Sequence, residues 1–408
     1  MSLSTAMYSG LSGLNSYGEA MTVVGDNIAN LNTIGFKYSS IHFEDLMAQL
    51  VSTGSGPGQV GRGSRISDIS TVWAQGSLET SADDVDVAIT GTGFLIVRDP
   101  LGGSLFYTRD GNFSLDKDGY LINAHGYRVQ GKLIDPVSKT PTGVDTDITI
   151  SQNYAAPRAS SAVEMVLNLD ANAEIGAFYS TSLSLYDRLG NMRTLTTTFT
   201  KAADNTWTLS GTLDGVDITA LITDQGGGGP SDMVFDQNGT MVSGGLYALD
   251  LSAYNIGSVN LDLRDTSGGS TTQYAASSVT NYASQDGYGP GFLQRISINN
   301  EGIITGHYSN GQIIPHYQLT LARFNAPGKL RREGSNLYTE TQDSGVPLTG
   351  APGNNGLGRI NSNSLEQSNV DLGNEFVRMI LYQRAFQANS RIITTTDSMM
   401  EEVLALKR

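Results

Sequence analysis

The sequence predicts a mainly β chain closed at each terminus by a long α-helix. Three observations carry that expectation. Apolar residues recur every seven positions over residues 1–31 and again from about 370 to 406. The chain between is a succession of short alternating runs punctuated by Gly, Asn and Asp. No strand–helix–strand alternation occurs, which argues against a parallel α/β sheet and for two antiparallel β domains nested between the helices.

The N-terminal helix comes first. One seam holds Met7, Leu14, Met21 and Ile28, and a second, offset by three, holds Leu3, Gly10, Tyr17, Val24 and Leu31. Gly10 is the exception among otherwise apolar or aromatic positions. Glu19 and Asp26 are the only charges before Lys37. A free-standing dimeric coiled coil carries charged flanking positions, so this helix suits burial among several neighbours.

From residue 85 onward the texture is β. Strand candidates are Val85–Ile89, Phe94–Val97, Leu105–Thr108, Phe113–Leu115 and Tyr120–Ile122, with Asp110-Gly111 and Asp118-Gly119 as hairpin signals. The pattern continues through Leu183–Tyr186, Leu195–Thr200, Trp207–Leu213 and Leu246–Leu251, then Leu293–Ile298, Ile303–Tyr308 and Ile313–Phe324. Residues 146–284 carry 14 acidic and 5 basic side chains, a net of 5 − 14 = −9. That excess marks an inserted, strongly solvated domain.

The C-terminal helix closes the chain. Leu372, Met379, Phe386, Ile393 and Met400 fall seven apart, and no Gly or Pro follows Gly373. A helix over 370–406 spans roughly 54 Å at 1.5 Å per residue. A hairpin of the two terminal helices inside one monomer is one reading. Packing of both against other subunits is preferred, because the helices lie more than 330 residues apart and are weakly charged.

Composition bounds the chemistry. The 408 residues allow two to four domains at about 150 residues each. A net charge of −15 offers no basic patch for nucleic acid and is repelled by an anionic membrane surface. The chain has no cysteine, which removes disulfides and thiolate chemistry, and no apolar run long enough for a transmembrane helix. The first 30 residues lack the basic region and dense apolar stretch of a secretory signal, so any export is expected to proceed without signal cleavage.

Catalytic and cofactor motifs fail on inspection. Four widely spaced histidines give no metal-ligand spacing. Gly56-Pro-Gly-Gln-Val-Gly61 has the letters of a nucleotide loop without its strand and helix, and reads as a flexible loop. Asp116-Lys-Asp118-Gly119 suggests a calcium loop, but His125 stands where the bidentate Glu belongs. No enzyme activity, metal or cofactor is expected.

Ala29-Asn30-Leu31-Asn32-Thr33-Ile34-Gly35-Phe36-Lys37 resembles the amino-terminal signature of the bacterial flagellar rod and hook axial proteins. Ser368-Asn369-Val370-Asp371-Leu372, with Met379-Ile380 and Gln383–Asn389, is similar to that family's terminal helix. Asp86–Phe94 and Tyr107–Phe113 add motifs in the first β domain. The insert, with Leu185–Gly190, Phe199–Lys201 and Trp207, is similar to the outer domain of the longer, hook-forming members.

The resemblance implies an elongated subunit with radial parts. Residues 1–36 and 366–408 would form the inner helical polymerisation domain, and 37–70 a connecting segment. Residues 71–145 and 285–365 would form a middle β domain, and 146–284 the outer one. It implies a self-assembling curved tube, a flexible joint that transmits torque. Implied partners are further copies, the distal rod, the hook cap, the hook–filament junction proteins and the flagellar type III export apparatus. Location would be extracellular, in the flagellum. The alternatives are a distal rod subunit and a secreted β-rich adhesin or tail-fibre-like protein.

Overall fold

Asp371 starts the C-terminal helix. Its carboxylate accepts from the backbone N–H groups of Gly373 (2.9 Å) and Asn374 (3.2 Å), two of the donors that a helix start leaves open. Helix α2 then runs unbroken over Leu372–Ala405, and helix α1 covers Leu3–Ala29. The computed structural model describes residues 3–53, 56–135, 138–150, 154–225, 232–266 and 269–405. Strands dominate between the helices.

The chain divides into two units. The first holds Met1–Ser151, Ile296–Gly306 and Ile314–Arg408, and the second holds Gln152–Arg295 and His307–Ile313.

In the first unit, Phe94–Arg98 is the central strand. It pairs antiparallel with Leu105–Thr108, Arg128–Ile134 and Leu321–Arg323. Leu337–Thr339 adds to the far edge of Leu105–Thr108. Phe94, Ile96, Tyr107, Ala322, Phe324 and Tyr338 form a buried core, with Trp73 and Leu330 packed on it. The edge-to-face pairs Trp73–Phe94 (4.8 Å) and Tyr107–Phe324 (4.7 Å) fix the ring orientations.

The first unit also contains a β ribbon. Ser39–Asp45 pairs with Ser64–Thr71, and Gln49–Thr53 pairs with Gly56–Val60. The Gly56–Gly61 stretch, expected to be a loop, is thus mostly strand. Pro57 lacks an N–H, which an edge position in a two-stranded ladder tolerates.

The second unit closes two sheets on one core. Five strands run in the order Ile222–Asp224, Leu246–Asp250, Ser258–Asp262, Ala162–Asn168, Val279–Gln285. The other sheet is built on Phe178–Tyr186, Met192–Ala203, Thr206–Leu213 and Asp232–Phe235. Thr206–Leu213 alternates strictly between half-buried and buried residues, which sends Trp207, Leu209 and Leu213 inward. They meet Leu167, Phe199, Tyr247 and Leu261 in a single cluster. Ala162–Asn168 and Ser258–Asp262 form a parallel pair, and Asn168 also makes a parallel bridge to Thr272.

Other expectations need correction. Asp110-Gly111 is not a hairpin turn, because the strands flanking it pair with other partners. Glycine is required there for close approach: a Cβ on Gly111 would lie 1.7 Å from the Val87 carbonyl oxygen. The run Ile313–Phe324 is two strands, Ile313–Leu319 and Leu321–Arg323, broken at Thr320. The first candidate strand begins at Val87, not Val85.

Candidate functional site

The two ends of the chain meet in the first unit. After α1, the chain turns at Gly35, whose φ of +71° is costly for any residue with a Cβ. The Gly35 N–H donates to the Glu366 carbonyl (2.7 Å). This turn carries Phe36 and Lys37 into the interior.

Lys37 Nζ donates to Glu366 Oε1 at 2.5 Å and to the Ala74 carbonyl at 2.9 Å. Neither the Lys37 nor the Glu366 side chain reaches solvent. The Gly76 N–H donates to the same carboxylate (2.9 Å). Arg109 Nη1 approaches Glu366 Oε2 at 3.3 Å, and its Nη2 donates to the Gly91 carbonyl at 2.7 Å. Burial pushes the Lys37 amine below its ordinary value, against the attraction of Glu366, and lowers Arg109 in the same way. One carboxylate thus holds two buried cations. Such a cluster fixes geometry more than it adds stability, yet losing one member leaves an uncompensated charge.

The rest of the two signature stretches ties the same joint. Asn369 Oδ1 accepts from the Tyr38 N–H (2.8 Å), and its Nδ2 donates to the Val72 and Ala74 carbonyls (2.9 Å each). Ser368 and Val370 are buried. Thr33 donates to Asn30, and Asn30 donates to the Asp26 carbonyl, closing the end of α1. Ala29 and Asn32 are exposed. Asn27 clamps Ser39 through both backbone groups and donates to Glu375 Oε2 (3.1 Å), while Arg378 donates to Glu375 Oε1 (2.8 Å).

Beyond this joint α1 and α2 run antiparallel. Asn27 meets Glu375, the Tyr17 and Tyr382 rings lie 5.9 Å apart, and Gly18 faces Phe386. Gly10 faces Ile393, where a Cβ would sit 3.2 Å from Cγ1. Gly13 is closer still, since a Cβ there would lie 2.7 Å from Asn389 Nδ2, so both glycines let the helices approach. The helices are not isolated from the β structure, because α1 also packs on the ribbon. Ser16 Oγ donates to the Ser64 carbonyl (3.2 Å), and the Tyr17 ring lies 5.3 Å from Phe43.

The seam residues are incompletely covered. Val24 is buried, whereas Met7, Leu14, Tyr17, Met21, Ile28 and Leu31 are half-buried. Met379, Phe386 and Ile393 are half-buried, and Leu372 and Met400 are exposed. Leu3 lies in α1, but its side chain is outside the described residues. The seam pattern missed a second apolar face on α2: Phe376, Val377, Ile380 and Leu381 stand 47–58% exposed. It also missed Asn27, Arg109, Glu366 and Glu375. Only an asparagine amid an apolar stretch, and an arginine inside the Tyr107–Phe113 motif, hinted at them.

This arrangement offers a surface for association. Among the described residues no cluster of three or more His, Asp or Glu could hold a metal ion.

Comparison with known proteins agrees in each part of the chain. Residues 7–37 match the flagella basal body rod protein family, and 361–406 match the flagellar basal body rod FlgEFG protein C-terminal family. Residues 88–162 match the flagellar hook protein FlgE/F/G D1 domain, and 153–288 match the flagellar basal body protein FlaE D2 domain. A relative from Borreliella burgdorferi named flagellar hook protein FlgE is 34% identical, over 98% of this chain and 99% of its own. Relatives of the same name from Treponema pallidum and Salmonella typhimurium are 32% and 31% identical, over at least 97% of each chain. The crystal structure of Helicobacter pylori flagellar hook protein FlgE2 shares the fold, with a TM-score of 0.53 at 16% identity, over 71% of this chain and 100% of that one.

Proposed function

The chain belongs to the flagellar hook protein family, and from that premise we infer that it is a structural subunit of the bacterial flagellar hook. Copies polymerise through their terminal helices into a short curved tube that carries torque from rod to filament as a flexible joint. The observation that carries this reading is similarity to hook proteins over nearly the whole length, inserted domain included. Exposed apolar faces on the helix pair support it physically, since such faces are covered when copies associate. Head-to-tail contacts that do not close generate an open helical tube.

The subunit's role is structural, with residues 1–36 and 366–408 innermost, 37–70 connecting, 71–145 with 285–365 in the middle, and 146–284 outermost. The net charge of −9 on the last segment supports an outer place, because like charges repel when crowded at the axis. Its partners are further copies, the distal rod, the hook cap and the hook–filament junction proteins. It leaves the cell through the flagellar type III apparatus with its N-terminus uncleaved.

Electron microscopy of polymers grown from the purified chain tests this reading. Curved tubes are expected. Straight tubes would point to a rod subunit, and discrete trimers to a fibre-like protein.

A further inference from the structure

We propose that successive copies dock α2 of one on α1 of the next, antiparallel, with Arg384 opposite Asp26 and Arg391 opposite Glu19. This rests on the polymer reading above and specifies which faces meet.

Four exposed charges motivate it. At 100° per residue, Glu19 and Asp26 lie on the side of α1 opposite Tyr17, which faces α2 of the same chain. Arg384 and Arg391 lie on the side of α2 opposite Tyr382. Among the described residues none of the four has an ion-pair partner. The Asp26 carboxylate accepts from Asn30, the residue just past the end of α1.

The spacing matches. Each pair is separated by seven residues, roughly 10.5 Å along a helix at 1.5 Å per residue. α1 carries no other charge, so its whole electrostatic pattern is one acidic doublet. The complementary basic doublet lies on the free face of the other helix.

Symmetry then fixes the direction. Copies in an open polar tube are related by rotation about the axis and translation along it. Helices that run along that axis keep their sense from copy to copy. Since α1 and α2 are antiparallel within one chain, they remain antiparallel between neighbours. In that sense only one register satisfies both charge pairs. It also brings Leu11 level with Met399 and Thr22 level with Ala388, while Phe376–Leu381 stands level with residues 29–34, at and just past the end of the neighbour's α1. Leu11 and Met399 are about half exposed in the single chain. The apolar area supplies the adhesion. Exposed ion pairs add little energy but select register.

Absence of cysteine makes the test clean. Asp26→Cys with Arg384→Cys places both thiols on outward faces, so an oxidised bond joins different copies and not the ends of one. Polymers of this variant, oxidised and then dissolved in denaturant, should give a ladder of covalent multimers. Arg384→Glu with Arg391→Glu should raise the concentration needed for polymerisation at least roughly tenfold, since opposed like charges resist association. Adding Glu19→Arg and Asp26→Arg should restore it. Unchanged thermal melting of each variant would show the fold intact. Polymers that form normally but give no ladder and ignore charge reversal would overturn this register and leave the hook reading standing. Failure of the unaltered chain to polymerise would overturn the reading beneath it.

Discussion

The Glu366 carboxylate lies 2.5 Å from the Lys37 amine across 329 residues of chain, with both side chains sealed from water. Arg109 reaches the same carboxylate from the first β domain. The signature stretches at the two ends are therefore joined to each other within a single chain.

Glu366→Ala should be among the most damaging single changes. It strands two cations in the interior, at a cost of about 3–5 kcal/mol for breaking a buried pair. Chemical denaturation followed by circular dichroism measures it. Lys37→Met combined with Glu366→Gln should recover part of the loss. A wild-type midpoint for Glu366→Ala would show that the cluster is hydrated.

The cluster also sets where the chain tolerates trimming. A chain reduced to residues 37–365 keeps Lys37 and Arg109 but loses their anion. One reduced to residues 27–378 retains Asn27, Glu366, Asn369 and Glu375. The longer chain should melt cooperatively, and the shorter one well below it. Calorimetry showing equal transitions would mean that the joint contributes nothing to the β fold.

Ile380→Asp and Phe386→Asp should separate association from folding. Ile380 is 51% exposed, so its charged replacement should leave monomer stability within about 0.5 kcal/mol, as for surface changes generally. Polymerisation should still be blocked. Phe386 faces Gly18 on α1, and a carboxylate there should also loosen the helix pair. Sedimentation and thermal melting of the two variants distinguish the effects. Normal polymers from Ile380→Asp would show that its face stays wet in the tube.

Acid should weaken the first unit through Asp147. Burial alone would raise its carboxyl, but hydrogen bonds from Arg98, Gln130 and Arg128 hold it below the ordinary value of 3.8. The stabilisation is thus fully present above about pH 3.8 and lost as pH falls through the lower folded value. Denaturation between about pH 5 and about pH 2 should show a shallower decline for Asp147→Asn than for the wild type. Parallel curves would remove Asp147 from the account.

Much of the fold was legible because periodicity is local. Helix limits followed from seven-residue spacing, and strands such as Phe94–Arg98 and Thr206–Leu213 from alternation and turns. Strands such as Arg128–Ile134 and Ala162–Asn168 went unread: long buried runs and a glycine blur the alternation. The cluster around Glu366 was illegible for another reason. Its members come from four separate segments, and a lone glutamate beside a motif looks like any surface charge. The second face of α2 was hidden because Phe376, Val377, Ile380 and Leu381 fall between the heptad positions.

The distance in sequence between Lys37 and Glu366 has a consequence for the order of events on the proposed export route. A chain delivered one end first cannot close its joint until the trailing end has arrived, whichever end leads. The second unit draws only on Gln152–Arg295 and His307–Ile313, so on that route its residues would all be together before the trailing helix emerged. Contacts between distant segments form late because loop closure must precede them. Delivery of the final residues would then act as a timing signal. Only a complete subunit presents paired helices, so on that route a chain truncated in transit would lack the surface proposed to join the tube.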